Sequence, residues 1–74
     1  MADRWIVTRI VNDKSVGTIV SNIFSSTKQY HNYEDIKRIT REHKSKTRVA
    51  GNQEVEYEIW LCRENNTREK VLTM

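Results

Sequence analysis

The sequence contains no proline, only two glycines and a single cysteine in 74 residues. One cysteine (Cys62) excludes an intrachain disulfide, which small secreted domains usually need, so the chain is typical of a reducing compartment. With no proline and so little glycine, the sequence shows neither a flexible linker nor a low-complexity segment. We therefore expect a single folded domain over residues 1–74, located in the cytoplasm.

Long apolar runs are also missing. No stretch approaches the ~20 consecutive apolar residues that a membrane helix needs. The N-terminal segment is interrupted by Asp3 and Arg4 and again by Thr8 and Arg9, which is unlike the apolar core of a signal peptide. The sequence therefore predicts a soluble protein that does not contact a membrane.

Motifs of catalysis and cofactor binding are missing as well. The sequence has no glycine-rich phosphate loop and no GxSxG, HExxH or CxxC pattern. Cys62 lies in an apolar predicted strand, where we interpret it as a small core residue. His31 has helical spacing to Glu34 or Asp35, but two or three ligands of this kind rarely make a specific metal site. We expect no enzymatic activity, no cofactor, no metal and no small-molecule substrate.

The N-terminal third predicts a β-hairpin. The segments Arg4–Val11 and Val16–Phe24 are rich in β-branched and aromatic residues, and the turn-forming residues NDKS separate them. The first segment has apolar residues at both odd and even positions, so both faces of the strand would be apolar. This first strand is therefore predicted to lie in the middle of a sheet.

After Phe24 the apolar residues recur every three or four positions, which predicts a helix. The residues that share this face are Tyr30, Tyr33, Ile36, Ile39 and Thr40. Two capping boxes compete for the helix start, Ser26 with Gln29 and Asn32 with Asp35. The helix is predicted to begin near residue 27 or 33 and to end near residue 44.

The segment Glu54–Arg63 alternates between apolar and polar residues and predicts a half-buried strand. Residues 46–49 are expected to form a short strand that pairs back on it through an odd-numbered loop, with Val49 opposite Val55. Lys70–Thr73 is expected to form a fifth, short closing strand. The predicted fold is α+β, with a small antiparallel sheet in the order β-β-α-β-β and one helix packed on one face.

Basic residues concentrate in and after the helix. Residues 28–48 contain seven Lys or Arg and three Asp or Glu, a balance of +4, whereas residues 49–74 contain three and five, a balance of −2. This segment has two interpretations: a surface that binds the phosphates of DNA or RNA, or the solvated outer face of an amphipathic helix that can contact a protein. The sequence favours the second. The candidate binding residues are Lys37, Arg38, Arg41, Lys44 and Arg48.

A second candidate surface lies on the glutamate face of the strand Glu54–Arg63. Trp60 falls on this face together with Glu56 and Glu58. Tryptophan is enriched among residues that dominate protein binding, so Trp60 is a candidate anchor for a partner. The alternative is that this face is buried within the fold, by Trp5 and Val7 from the neighbouring strand, or by a second copy of the chain. The glutamates disfavour nucleic acid here.

The sequence thus predicts a small non-catalytic binding or regulatory module. Its expected partner is another protein or a second copy of itself, as in a homodimer. The alternative function is nucleic-acid binding through the basic helix 35–48. Small chains without recognisable site chemistry are typical of regulators, inhibitors and accessory proteins, including those of phages and mobile elements.

Overall fold

A computed structural model describes residues 3–74 of the protein and shows an α+β fold. Four antiparallel strands form one sheet in the spatial order β2-β1-β3-β4, and a single helix packs on one of its faces. The chain order is β-β-α-β-β, and its last two strands are those predicted at Glu54–Arg63 and Lys70–Thr73. The elements are β1 (Arg4–Asp13), β2 (Gly17–Thr27), α1 (Tyr33–Lys46), β3 (Gln53–Cys62) and β4 (Arg68–Thr73).

Strand β1 lies in the middle of the sheet, between β2 and β3, as its two apolar faces predicted. Because β2 and β3 both run antiparallel to β1, they are parallel to each other, and α1 carries the chain across β1 between them. The β1–β2 hairpin closes with Gly17 at a φ of 92°, a conformation that glycine adopts without steric cost.

The core lies between α1 and one face of β1 and β3. In the β1–β3 ladder, Trp5 pairs with Leu61 and Val7 pairs with Ile59, so their side chains share this face. Ile36 from the helix packs against them and is fully buried. Burying one aliphatic side chain of this size contributes about 1.5–3 kcal/mol, so these few residues supply much of the stability of the domain. The buried apolar residues are Trp5, Val7, Ile36, Tyr57, Ile59 and Leu61.

The helix begins at Tyr33, so the later of the two predicted starts is right. The Asn32 side chain accepts a hydrogen bond from the backbone N–H of Asp35, and the Asp35 carboxylate accepts one from the backbone N–H of Asn32. Ser26 instead lies in β2, and its hydroxyl lies 2.6 Å from Nδ1 of His31. Tyr30 precedes the helix and is 77% exposed, so its predicted place on the apolar face is wrong.

A buried polar contact joins the end of the helix to β3. The hydroxyl of Tyr57 lies 2.9 Å from Nδ1 of His43 and 2.6 Å from Oγ1 of Thr47, the residue that ends the helix. The rings of His43 and Tyr57 also meet edge to face, with centroids 5.6 Å apart. These contacts fix the C-terminal turn of α1 over the sheet.

The predicted strand at residues 46–49 is wrong. Lys46 belongs to the helix, residues 47–50 are irregular, and Val49 is 51% exposed. Both edges of β3 are occupied by other strands, since β1 pairs along its whole length and β4 pairs with Glu58–Cys62. Val55 therefore faces Val11 of β1, and the sheet described in residues 3–74 has four strands rather than five.

Candidate functional site

One face of the sheet points away from the helix, and we call it the open face. On β1 it carries Ile6, Thr8 and Ile10, which lie directly across from Trp60, Glu58 and Glu56 of β3. Val20 of β2 lies opposite Ile10 on the same face. In the described residues 3–74, no helix or strand covers this face, because α1 packs on the other one.

Trp60 lies on the open face near the C-terminal end of β3 and is half-buried. Its neighbours across the two flanking ladders are Ile6 on β1 and Lys70 on β4. The guanidinium carbon of Arg68 lies 5.3 Å from the centre of the Trp60 ring, and the indole N–H donates a hydrogen bond of 3.3 Å to Glu58. The ring is therefore held in place by its neighbours on the sheet.

Glu58 is paired with a cation rather than left as a free acid. Its second carboxylate oxygen accepts a hydrogen bond of 3.2 Å from the ammonium group of Lys70, and only 14% of its side chain is exposed. Glu56 is exposed and makes no ion pair within the described part of the chain. The open face thus combines apolar and aromatic side chains with charges of both signs.

Sequence reasoning missed several residues of this surface. Ile6 and Ile10 belong to it because β1 pairs with β3 in this register, and Arg68 and Lys70 belong to it because β4 pairs with β3. The predicted closing strand Lys70–Thr73 included Lys70 but not Arg68, and the sequence did not say beside which strand it would lie. Trp5 and Val7, which were candidates to cover Trp60, lie on the helix side.

The basic helix residues fall into two groups. Lys37 lies 2.8 Å from the carboxylate of Glu34, and Arg38 lies 3.6 Å from that of Asp35. The Lys37 ammonium group also lies 4.7 Å from the centre of the Tyr33 ring. The charges of these two residues are therefore largely compensated by neighbours on the helix.

Arg41, Lys44 and Arg48 form the second group. All three are exposed, and within residues 3–74 no carboxylate lies within ion-pair distance of them. Arg41 and Lys44 are three residues apart and share a flank of the helix, whereas Arg48 lies in the irregular segment that follows. This group, which we call the basic flank, belongs to the side of the molecule opposite the open face.

Two further features are a cleft at Asp13 and the free thiol of Cys62. A cleft of about 280 Å³ beside the β1–β2 turn is lined by Asp13, whose carboxylate accepts hydrogen bonds from Gln53 and from the backbone of Ser15 and Val16.

Cys62 was predicted to be a core residue, but it is half-buried on the open face, across from Arg4 and Arg68. The described residues contain no cluster of three or more His, Cys, Asp or Glu side chains placed to hold a metal ion.

No protein-family model, curated protein or solved structure matches the chain. Among the described residues, no helix combines the length and apolar character needed to cross a membrane.

Proposed function

We propose that the protein is a non-catalytic binding module and that its open face docks a protein partner, with Trp60 as the anchor. The observation that carries this proposal is the position of Trp60. Its half-buried ring lies on a central strand, beside Ile6, on a sheet face that α1 leaves uncovered.

The composition of the open face supports a protein partner. Protein interfaces combine an apolar middle with a polar rim, and tryptophan and arginine are enriched among the residues that dominate binding. Here Trp60 and Ile6 are adjacent apolar side chains, and the charged residues Arg68, Lys70 and Glu58 lie beside Trp60. Because its neighbours already restrict the Trp60 ring, docking costs less side-chain entropy than it does for a free tryptophan. The partner surface is expected to present apolar side chains to Trp60.

The second candidate function is binding of DNA or RNA through the basic flank. The specific observation in its favour is that Arg41, Lys44 and Arg48 are exposed and unpaired in the described part of the chain. Exposed cations of this kind attract phosphates and release counterions. The pairing of Lys37 and Arg38 with acids of the same helix weakens this candidate.

The proposal is tested by comparing which proteins are captured by two variants, each altered on one of the two candidate surfaces. The first is Trp60→Ala on the open face, and the matched variant is Arg41→Glu with Lys44→Glu on the basic flank. Quantitative mass spectrometry of captured proteins should show a partner that is lost with Trp60→Ala and kept with the charge reversal. A partner that depends on the basic flank and not on Trp60 contradicts the proposal.

The second candidate is tested by fluorescence anisotropy of labelled duplex DNA, single-stranded DNA and RNA. We expect no binding at a salt concentration of about 0.15 M, at which weak surface electrostatics are screened. Binding that persists at this salt and disappears with Arg41→Glu and Lys44→Glu would establish the second candidate in place of the first.

A further inference from the structure

We propose that two copies of this protein pair through the free edge of β2, in antiparallel register, and form one continuous eight-stranded sheet. This inference concerns an edge of the sheet rather than the open face, and it stands independently of the proposed function.

Strand β2 has the properties of an unprotected edge. It is an outer strand of the sheet, and none of its eleven residues, GTIVSNIFSST, is charged or proline. Every second residue of an outer strand directs its N–H and C=O groups away from the sheet, and proteins usually protect such an edge with charges, proline or a short length. Ile19 and Val20 of this strand are 47% and 61% exposed. An edge of this kind is suited to pairing with another strand.

The opposite edge is protected. Strand β4 has six residues and begins Arg-Glu-Lys, and its pairing with β3 is interrupted by an irregularity between Ile59 and Trp60. Short length, charge and bulges are the features that prevent strand addition. The difference between the two edges selects β2 as the pairing edge. It also closes the assembly at two copies, because antiparallel pairing around a two-fold axis uses both β2 edges.

The free part of β2 is its first half, Gly17–Asn22. Further along, the register with β1 skips Ile23, which marks a bulge, and the carbonyl of Thr27 already accepts hydrogen bonds from the N–H groups of Tyr30 and His31. Antiparallel pairing of two six-residue segments provides about six hydrogen bonds between the chains. In a pairing centred on Val20, the two Val20 side chains would lie opposite each other on the open face, and each Ile19 would lie opposite Ser21 of the other copy on the helix side.

A second copy is the occupant that fits this edge. Pairing of β2 with itself requires no complementary charges, because the strand has none, and a two-fold axis repeats each contact. The formal charge of the chain is only +3, and residues 28–48 contribute +4 of the balance. Charge repulsion at the β2 edge is therefore small.

The test combines analytical ultracentrifugation with a pair of matched double variants. We expect the wild type to reach twice the chain mass of 8.8 kDa as its concentration rises. Ile19→Lys with Val20→Lys puts two charges on the edge and should give a folded monomer. Val16→Lys with Val49→Lys adds the same charge at two exposed valines outside β2 and should leave the dimer intact.

Amide hydrogen exchange measured by NMR at low and high concentration identifies the pairing surface directly. Alternate amides of Gly17–Asn22 should gain protection in the dimer, whereas those of β4 should not. Trp60→Ala should leave the dimer unchanged, so failure here is distinct from failure of the proposed function. A wild type that stays monomeric near ~1 mM, a dimer that survives Ile19→Lys with Val20→Lys, or a dimer that is lost with Trp60→Ala would overturn the proposal.

Discussion

Arg68 lies over the ring of Trp60, with its guanidinium carbon 5.3 Å from the ring centre. The two residues belong to different strands, β4 and β3, and Lys70 of β4 lies directly across from Trp60. An exposed cation–π contact contributes about 0.5–1 kcal/mol, so its main effect here is to orient the ring. The part of the surface that Arg68 and Lys70 contribute beside Trp60 therefore exists only when β4 is paired with β3.

The fully buried Ile36 is expected to be the residue of the helix most sensitive to truncation. Ile36→Ala should lower the free energy of unfolding by about 2–5 kcal/mol, and Ile36→Val by about 0.5–1.5 kcal/mol, because the core closes poorly around a cavity. Urea unfolding followed by circular dichroism measures both. Val49→Ala, at an exposed site, is the control, and an equal loss in Ile36→Ala and Val49→Ala would contradict the packing.

The capping box at Asn32 is expected to set the start of the helix. Asn32→Ala should cost about 1 kcal/mol, because the backbone N–H of Asp35 loses its acceptor. Gln29→Ala removes a residue of the competing box and should change the urea midpoint little. A larger loss with Gln29→Ala than with Asn32→Ala would place the helix start earlier than Tyr33.

The hydroxyl of Tyr57 is expected to stabilise the end of the helix. Tyr57→Phe should cost about 1 kcal/mol, since it removes the contacts to His43 and Thr47 while keeping the buried ring. Tyr30→Phe deletes an exposed hydroxyl and serves as the control. Urea unfolding of both variants measures the difference, and equal midpoints would contradict the role of the hydroxyl.

The Asp13 carboxylate is expected to make stability depend on acid pH. Hydrogen bonds from the side chain of Gln53 and from the backbone of Ser15 and Val16 lower its pKa below the usual value. A lowered pKa in the folded state stabilises the fold above the unfolded pKa, and this contribution is lost as pH falls through the folded pKa.

Asp13→Asn should therefore be slightly less stable than the wild type at pH 7, and the difference should shrink as the pH falls below about 4, the usual pKa of an aspartate. Thermal unfolding across this range measures it. Glu42→Gln, which removes an exposed carboxylate elsewhere, is the matched control for loss of one negative charge. A difference between Asp13→Asn and the wild type that stays constant with pH would contradict the role of the charge.

The strongly periodic elements were predictable from the sequence, and the pairing of strands was not. The alternation in β3 and the helical spacing around Ile36 are local patterns, and both elements formed where they were expected. Residues 46–49 also matched β3 in charge and apolar character. However, several segments compete to pair with the two edges of β3. β1 and β4 occupy both edges of β3, and nothing in the local sequence ranks these partners.

The same distinction between local patterns and strand pairing applies to the candidate surfaces. Simple alternation in the sequence predicted that Trp60, Glu56 and Glu58 share one side of β3. Which residues neighbour them on the open face depends on the register of β1 and β4 with β3, and sequence patterns do not determine that register. On the helix, spacing alone placed Lys37 beside the basic flank, whereas its contact with Glu34 depends on the side-chain conformation.

The most direct test of the central claim is the fluorescence of Trp60 during titration with the captured partner. Trp5→Phe leaves Trp60 as the single tryptophan and keeps an aromatic side chain in the core. We expect binding to shift the emission to shorter wavelength and to shield the ring from iodide quenching. Trp60→Ala should weaken the affinity by about 30-fold or more, as for an anchor residue. Binding at full affinity with unchanged Trp60 emission would contradict the claim that the open face docks the partner.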